Sequence, residues 1–184
     1  MGGPLAYEAA TQIDDIAGII CWCLWDLSDR EYVENETSMK KASFKILPFL
    51  KFLNSFLGRM RIKTYSIVSY DTLTAVSKFN DMIKNDPQAG TLISLRGALS
   101  LILQSKPTLP YEKWIKPAII FQPGSDRMTP PKYIKKVFDE IGSKDKKYIQ
   151  LEGSAHFPVE KKYYEKWTEE VYNFICFVTS ANGV

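Results

Sequence analysis

Three short apolar runs, separated by stretches of helical periodicity, constrain what this chain can fold into. Ala17 to Trp25 is unbroken apolar sequence that ends at Asp26. Lys116 to Gly124 carries Ala118-Ile119-Ile120-Phe121 between two prolines, and Tyr148-Ile149-Gln150-Leu151 is a briefer run. A run with no polar alternation suits a strand whose sheet is covered by helices on both faces. Leu5 to Gln12 has helical spacing behind Pro4, a residue favoured in a first turn because its missing N–H would have no partner there. Pro130 to Ile141 repeats the pattern ahead of Gly142, and Lys161 to Val178 lines up Tyr164, Trp167, Val171, Phe174 and Ile175 on one face. The order strand, helical stretch, strand, helix, strand, helix predicts an α/β fold of about three parallel strands, with right-handed crossovers and flanking helices.

The segment between the first two strands reads differently. Residues 26 to 37 are polar and loop-like. Ser38 to Met60 places Phe44, Leu47, Phe52, Leu53, Phe56, Leu57 and Met60 at helical spacing around Pro48, which predicts two short helices or one kinked helix. Tyr70 to Lys84 continues helically through Leu73, Val76, Phe79 and Ile83. It stops at Asn85-Asp86-Pro87, because a residue before proline avoids the α region. Thr91 to Gln104 is a third helical stretch. Residues 38–106 are therefore expected to form a helical insert without a strand, and residues 1–37 and 107–184 the strand-bearing core. The aromatic-rich run Phe44 to Leu53 leaves three readings open: a lid lining an acyl pocket, a lipid-touching surface, or a helix packed by its apolar face.

With 184 residues, 45% of them hydrophobic and 24% charged, the chain can bury a real core, and the disordered and fibrous classes are excluded. The net charge of +3 comes from interspersed Lys and Glu rather than from a basic block, so no nucleic-acid partner is expected. No apolar stretch approaches the ~18 residues a bilayer span needs, and no basic leader precedes an apolar region, so neither a membrane segment nor a signal peptide is expected. Cys21, Cys23 and Cys176 lie in apolar runs and read as buried reduced thiols rather than a disulfide framework or metal site. The expected compartment is cytoplasmic, with no metal or other cofactor.

Chemistry concentrates at three turns. A nucleophile elbow, G-x-S-x-G, exposes a serine on a sharp turn between strand and helix. Met1-Gly2-Gly3-Pro4-Leu5-Ala6-Tyr7 reads like everything after that serine, although a Gly-Gly pair near a terminus can also be a simple flexible end. Gly124-Ser125-Asp126-Arg127-Met128-Thr129-Pro130 puts a carboxylate at the end of the second strand, where open α/β sheets bind ligands. Glu152-Gly153-Ser154-Ala155-His156-Phe157-Pro158 puts the only histidine after the third. Strands joined by one crossover helix are usually neighbours, so the two side chains are expected to meet. Taken singly, Asp126 could be a turn or capping carboxylate and His156 a packed or surface histidine. Ser125 and Ser154 lack an elbow and read as turn residues.

Gly2-Gly3-Pro4-Leu5-Ala6-Tyr7, Gly124-Ser125-Asp126 with Thr129-Pro130, and Gly153-Ser154-Ala155-His156 together resemble the C-terminal part of an α/β-hydrolase, in its capped lysophospholipase and carboxylesterase-like branch. The resemblance covers nearly the whole chain but only part of the family fold. It implies a partial α/β-hydrolase with Asp126 as the triad acid, His156 as the general base and Met1 as an oxyanion-hole donor. The nucleophile serine and the earlier strands are expected to stand before the chain begins. The expected function is the C-terminal portion of a serine hydrolase acting on carboxylic esters, lipid-derived ones included, and inactive alone. A non-catalytic binding or assembly module is the alternative, followed by an enzyme that uses Asp126 and His156 with a carboxylate or water as nucleophile. An unfilled strand edge recruits another strand. Residues 17–25 are accordingly expected to pair with a second copy or with a separate N-terminal fragment.

Overall fold

The computed structural model describes residues 2–26, 28–36, 40–64, 70–90, 92–103 and 105–181. The chain divides into two compact units, one comprising Met1–Trp25 with Pro107–Val184, the other Asp26–Lys106.

The first unit is built on a three-stranded parallel sheet of β1 (Ile19–Trp22), β4 (Ala118–Pro123) and β5 (Lys146–Leu151) in the order β1-β4-β5. β4 is central and buried at every position, which explains its lack of polar alternation. Successive side chains of a strand point to opposite faces, and the packing follows that period. Ala118 and Ile120 join Tyr7, Ile19, Cys21, Trp114, Ile134 and Val137, whereas Ile119 and Phe121 join Ile149, Leu151, Tyr163, Phe174 and Val178. Burying each of the larger side chains stabilises the sheet by about 1.5–3 kcal/mol. The first face is covered by α1 (Gly2–Thr11) and α6 (Pro131–Glu140), the second by α7 (Lys161–Ala181). Among the described residues no strand pairs with the outer edge of β1.

Gly3 shows why α1 can lie so close to β1. A methyl group placed there would stand 2.5 Å from the Trp22 carbonyl oxygen and 2.8 Å from that of Cys23. Gly2 has open space around it, so only one of the two glycines is required for packing. α1 begins at Gly2, earlier than the periodicity behind Pro4 indicates. β1 is shorter than the apolar run that contains it, ending where Cys23 turns to φ 51°.

The second unit holds α2 (Arg30–Glu36), α3 (Lys40–Leu57), β2 (Arg61–Lys63), α4 (Ser77–Asn85), β3 (Leu92–Ser94) and α5 (Leu95–Leu103). Two sequence expectations are corrected here. The stretch expected as a loop contains α2, whose first turn is satisfied by the Asp29 carboxylate accepting from the N–H groups of Glu31 at 2.9 Å and Tyr32 at 3.4 Å. Pro48 lies inside α3, which runs as one helix, the second of the two readings its sequence left open. The insert is not strand-free: β2 and β3 pair antiparallel, Ile62 opposite Ile93. Three-residue strands are too short to show a period of two. The third correction concerns Cys176, which is an exposed free thiol, while Cys21 and Cys23 are buried. No described helix is long and apolar enough to cross a membrane.

Candidate functional site

β4 and β5 run side by side in register, Pro123 opposite Leu151, so their following loops leave the sheet at one end. Backbone hydrogen bonds join those loops: the Gly124 N–H donates to Leu151 O at 2.8 Å and the Ser125 N–H to Ser154 O at 2.9 Å. Gly153 adopts φ +75°, a conformation that glycine tolerates without a Cβ penalty, and the Tyr163 hydroxyl donates to Glu152 O at 3.0 Å beside it. The Gln122 amide donates to Thr129 O at 2.9 Å and ties down the far side of the β4 loop.

The result is contact between the two predicted residues, with Asp126 Oδ2 lying 2.7 Å from His156 Nδ1. The Asp126 side chain has no exposure and that of His156 has 12%, so the pair is dry on the carboxylate side and opens to solvent through the imidazole. Asp126 Oδ1 accepts from the Met128 N–H at 2.8 Å and the Thr129 N–H at 2.9 Å, and Oδ2 accepts from the Thr129 hydroxyl at 2.6 Å. Burial alone would raise the Asp126 pKa. The hydrogen bond and charge of His156 and the bonds from Thr129 outweigh it and hold the carboxyl below the ordinary aspartate value.

β1 contributes to the same end of the sheet. The Trp22 indole N–H donates to the His156 carbonyl at 3.1 Å, and the buried Cys23 thiol points at Asp126 Oδ2 from 3.5 Å. Burial first, and then the charge of Asp126, push the Cys23 thiol well above its ordinary pKa. Gly3 packs on the Trp22 and Cys23 carbonyls, so α1 starts beside this cluster. Met1, the expected oxyanion-hole donor, lies outside the described residues. Ser154 is fully buried with its hydroxyl directed to Ala155 O at 3.4 Å, and Ser125 is exposed.

Cys23, Asp126 and His156 bring their ligand-type atoms within 4.8 Å of one another. These are donor types that zinc accepts. In this geometry Nδ1 faces the Asp126 oxygen at hydrogen-bond distance and the thiol is held protonated, so the three form a hydrogen-bonded cluster. Trp22 and Cys23 were not distinguishable as site residues in the sequence, since both lie within an apolar run that also describes plain core. The one available signal was the end of that run at the same sheet edge as the other two loops.

An arrangement of this kind can hold an imidazole in one orientation and stabilise its cation, leaving Nε2 to exchange a proton with a reacting group. A model of the family described as serine aminopeptidase, S33 (Hydrolase_4) matches residues 1–160. Among solved structures, the monoacylglycerol lipase of Paleococcus ferrophilus superposes with a TM-score of 0.67 at 16% identity, covering 96% of this chain and 65% of that one. A soluble variant of the monoglyceride lipase of Saccharomyces cerevisiae, in complex with a substrate analog, gives 0.70 at 18% identity, covering 96% and 62%. A thermophilic esterase from Thermogutta terrifontis gives 0.54 at 16%, covering 96% and 62%. At these identities the likeness is one of fold, and the chain spans less than two thirds of the length of each of these proteins. None of the curated proteins matches it by sequence. The chain that brings Asp126 and His156 together over neighbouring parallel strands belongs to the serine aminopeptidase S33 family and carries an α/β-hydrolase fold.

Proposed function

We propose that this chain is the acid- and base-bearing portion of a serine hydrolase that acts on carboxylic esters, with monoacylglycerol-like lipids as the substrate class. The observation that carries the reading is the 2.7 Å contact between a fully buried Asp126 and a partly exposed His156. In this reading Asp126 holds the imidazole tautomer, and His156 takes the proton of a serine hydroxyl and returns it to the leaving alcohol. The oxyanion is held by backbone N–H groups that include that of Met1. In this reading residues 38–106 serve as the cap insert. Neither Ser125 nor Ser154 is placed for the nucleophilic role. The hydroxyl is supplied by a segment that adds to the edge of β1 that no strand covers among the described residues, and without that segment the pair has no nucleophile to activate. The three free thiols favour a cytoplasmic setting.

Fusion supplies the test. The part of a monoacylglycerol lipase that ends with its elbow serine is joined ahead of Met1, and hydrolysis of a short-chain p-nitrophenyl ester and of a monoacylglycerol is measured. Activity in the fusion that is lost with His156→Ala supports the proposal. A soluble, folded fusion whose activity is indifferent to His156→Ala overturns it and favours a non-catalytic binding module.

A further inference from the structure

Asp126 Oδ2 receives more hydrogen than a carboxylate needs in order to hold a histidine. The Thr129 hydroxyl lies 2.6 Å away, His156 Nδ1 2.7 Å and the Cys23 thiol 3.5 Å, while Oδ1 already accepts two backbone N–H groups. The hydroxyl has a single hydrogen. Donated to Oδ2, it leaves an oxygen lone pair facing Nδ1, and Thr129 Oγ1 stands 3.4 Å from that nitrogen. This geometry suits an ionised carboxylate and a protonated Nδ1, both of which the hydroxyl favours at once. A proton on Oδ2 would instead crowd the hydrogens of Thr129 and His156. Thr129 is itself 4% exposed, with its carbonyl held by Gln122, so its rotor is confined by the fold.

We propose that Thr129 is a positioning residue, holding Asp126 as an anion aimed at His156 Nδ1 through the hydroxyl it places on Oδ2. The proposal rests on the reading of Asp126 and His156 as an acid-base pair, but it concerns the state of the carboxylate and not ester turnover. The titratable groups that face Asp126 are His156 from the β5 loop and Cys23 from the end of β1. Both remain in every variant used below.

The chain holds one histidine, so its ring gives a single set of NMR signals. The Asp126 side-chain carbon and the His156 ring are followed between pH 3 and 8 in the wild type, Thr129→Val and Thr129→Ser. Removing the hydroxyl in Thr129→Val is expected to raise the pH at which Asp126 titrates by about 0.5–1 unit, with a matching inflection in the His156 ring, because a donor to the charged form is lost. Thr129→Ser, which keeps the hydroxyl, returns both towards wild type. A purely packing role would lower thermal stability and leave the inflection where it was, and that result overturns the proposal. Should Thr129→Val not fold, Thr129→Ala is read in the same way. A wild-type Asp126 that titrates at or above the ordinary aspartate value of about 3.9 overturns it without any variant. Failure of the fusion to hydrolyse ester would count against the proposed activity and leave this titration intact.

Discussion

The indole N–H of Trp22 donates to the backbone carbonyl of His156 at 3.1 Å, joining the end of β1 to the histidine loop across 134 positions of sequence. β1 and β5 are not neighbours in the sheet, because β4 lies between them. The bond therefore passes over the central strand and fixes where the histidine loop sits.

Trp22→Phe keeps an aromatic ring against Phe121 and removes only the donor. A part-buried carbonyl left without its partner costs about 1–3 kcal/mol. The urea midpoint should fall accordingly, and the amides of residues 154–157 should exchange faster than those of β4. Unchanged exchange in that loop would show that Trp22 does not restrain it.

Gly3→Ala puts a methyl group 2.5 Å from the Trp22 carbonyl oxygen, so α1 must move away from β1. Overpacking of this kind costs about 1–3 kcal/mol. Gly2→Ala meets nothing within 4 Å and serves as the control, with stability equal to or slightly above wild type. Equal thermal midpoints for the two variants would contradict the close approach of helix and strand.

Asp126 titrates lower in the folded chain than in the unfolded one, so the unfolded chain binds the additional proton and stability rises with pH across that interval. Its contribution is complete above the ordinary aspartate range and is lost as the pH falls through the folded value. Asp126→Asn should therefore reduce stability at neutral pH and flatten its decline below about pH 4. Urea midpoints at pH 3, 4, 5 and 7 test this, and an acid limb as steep as that of wild type would contradict it.

Cys21 behaves in the opposite sense. Burial pushes its thiol up to about 12, so the folded chain keeps a proton that the unfolded chain releases near 9. Stability is intact below that unfolded value and declines between about pH 9 and 12, by at most about 1.4 kcal/mol per pH unit from this group. Cys21→Ala lowers stability at pH 7 through lost packing but should show a shallower alkaline decline. Tyr148, also pushed up to about 12 by burial, keeps part of the slope. Parallel alkaline slopes in the two proteins would remove Cys21 from the account.

Much of the first unit was legible in the sequence, because its elements are long enough for periodicity to register. β4 lies within the predicted run between prolines, α6 begins beside the expected proline, and α7 spans the predicted helix, although its buried face is Tyr163, Phe174 and Val178 with Val171 against them, while Tyr164, Trp167 and Ile175 of the expected face are exposed. The second unit was less legible. α2 is polar and rests on the Asp29 cap, β2 and β3 owe their existence to each other, and the described residues 92–103 of the third predicted helical stretch divide into a strand and a helix at Leu95. Local propensity does not report pairing between segments 30 residues apart.

The sequence by itself determined that two parallel strands end in loops bearing Asp126 and His156, since strand runs and turn residues are encoded locally. That Oδ2 of one lies 2.7 Å from Nδ1 of the other, with Thr129 and Cys23 aimed at the same oxygen, was decided by tertiary structure. Such convergence depends on strand register, on the glycine that lets α1 approach β1, and on the bond from Trp22 to the histidine loop. These are relations between distant segments, and their energies exist only once the sheet has formed.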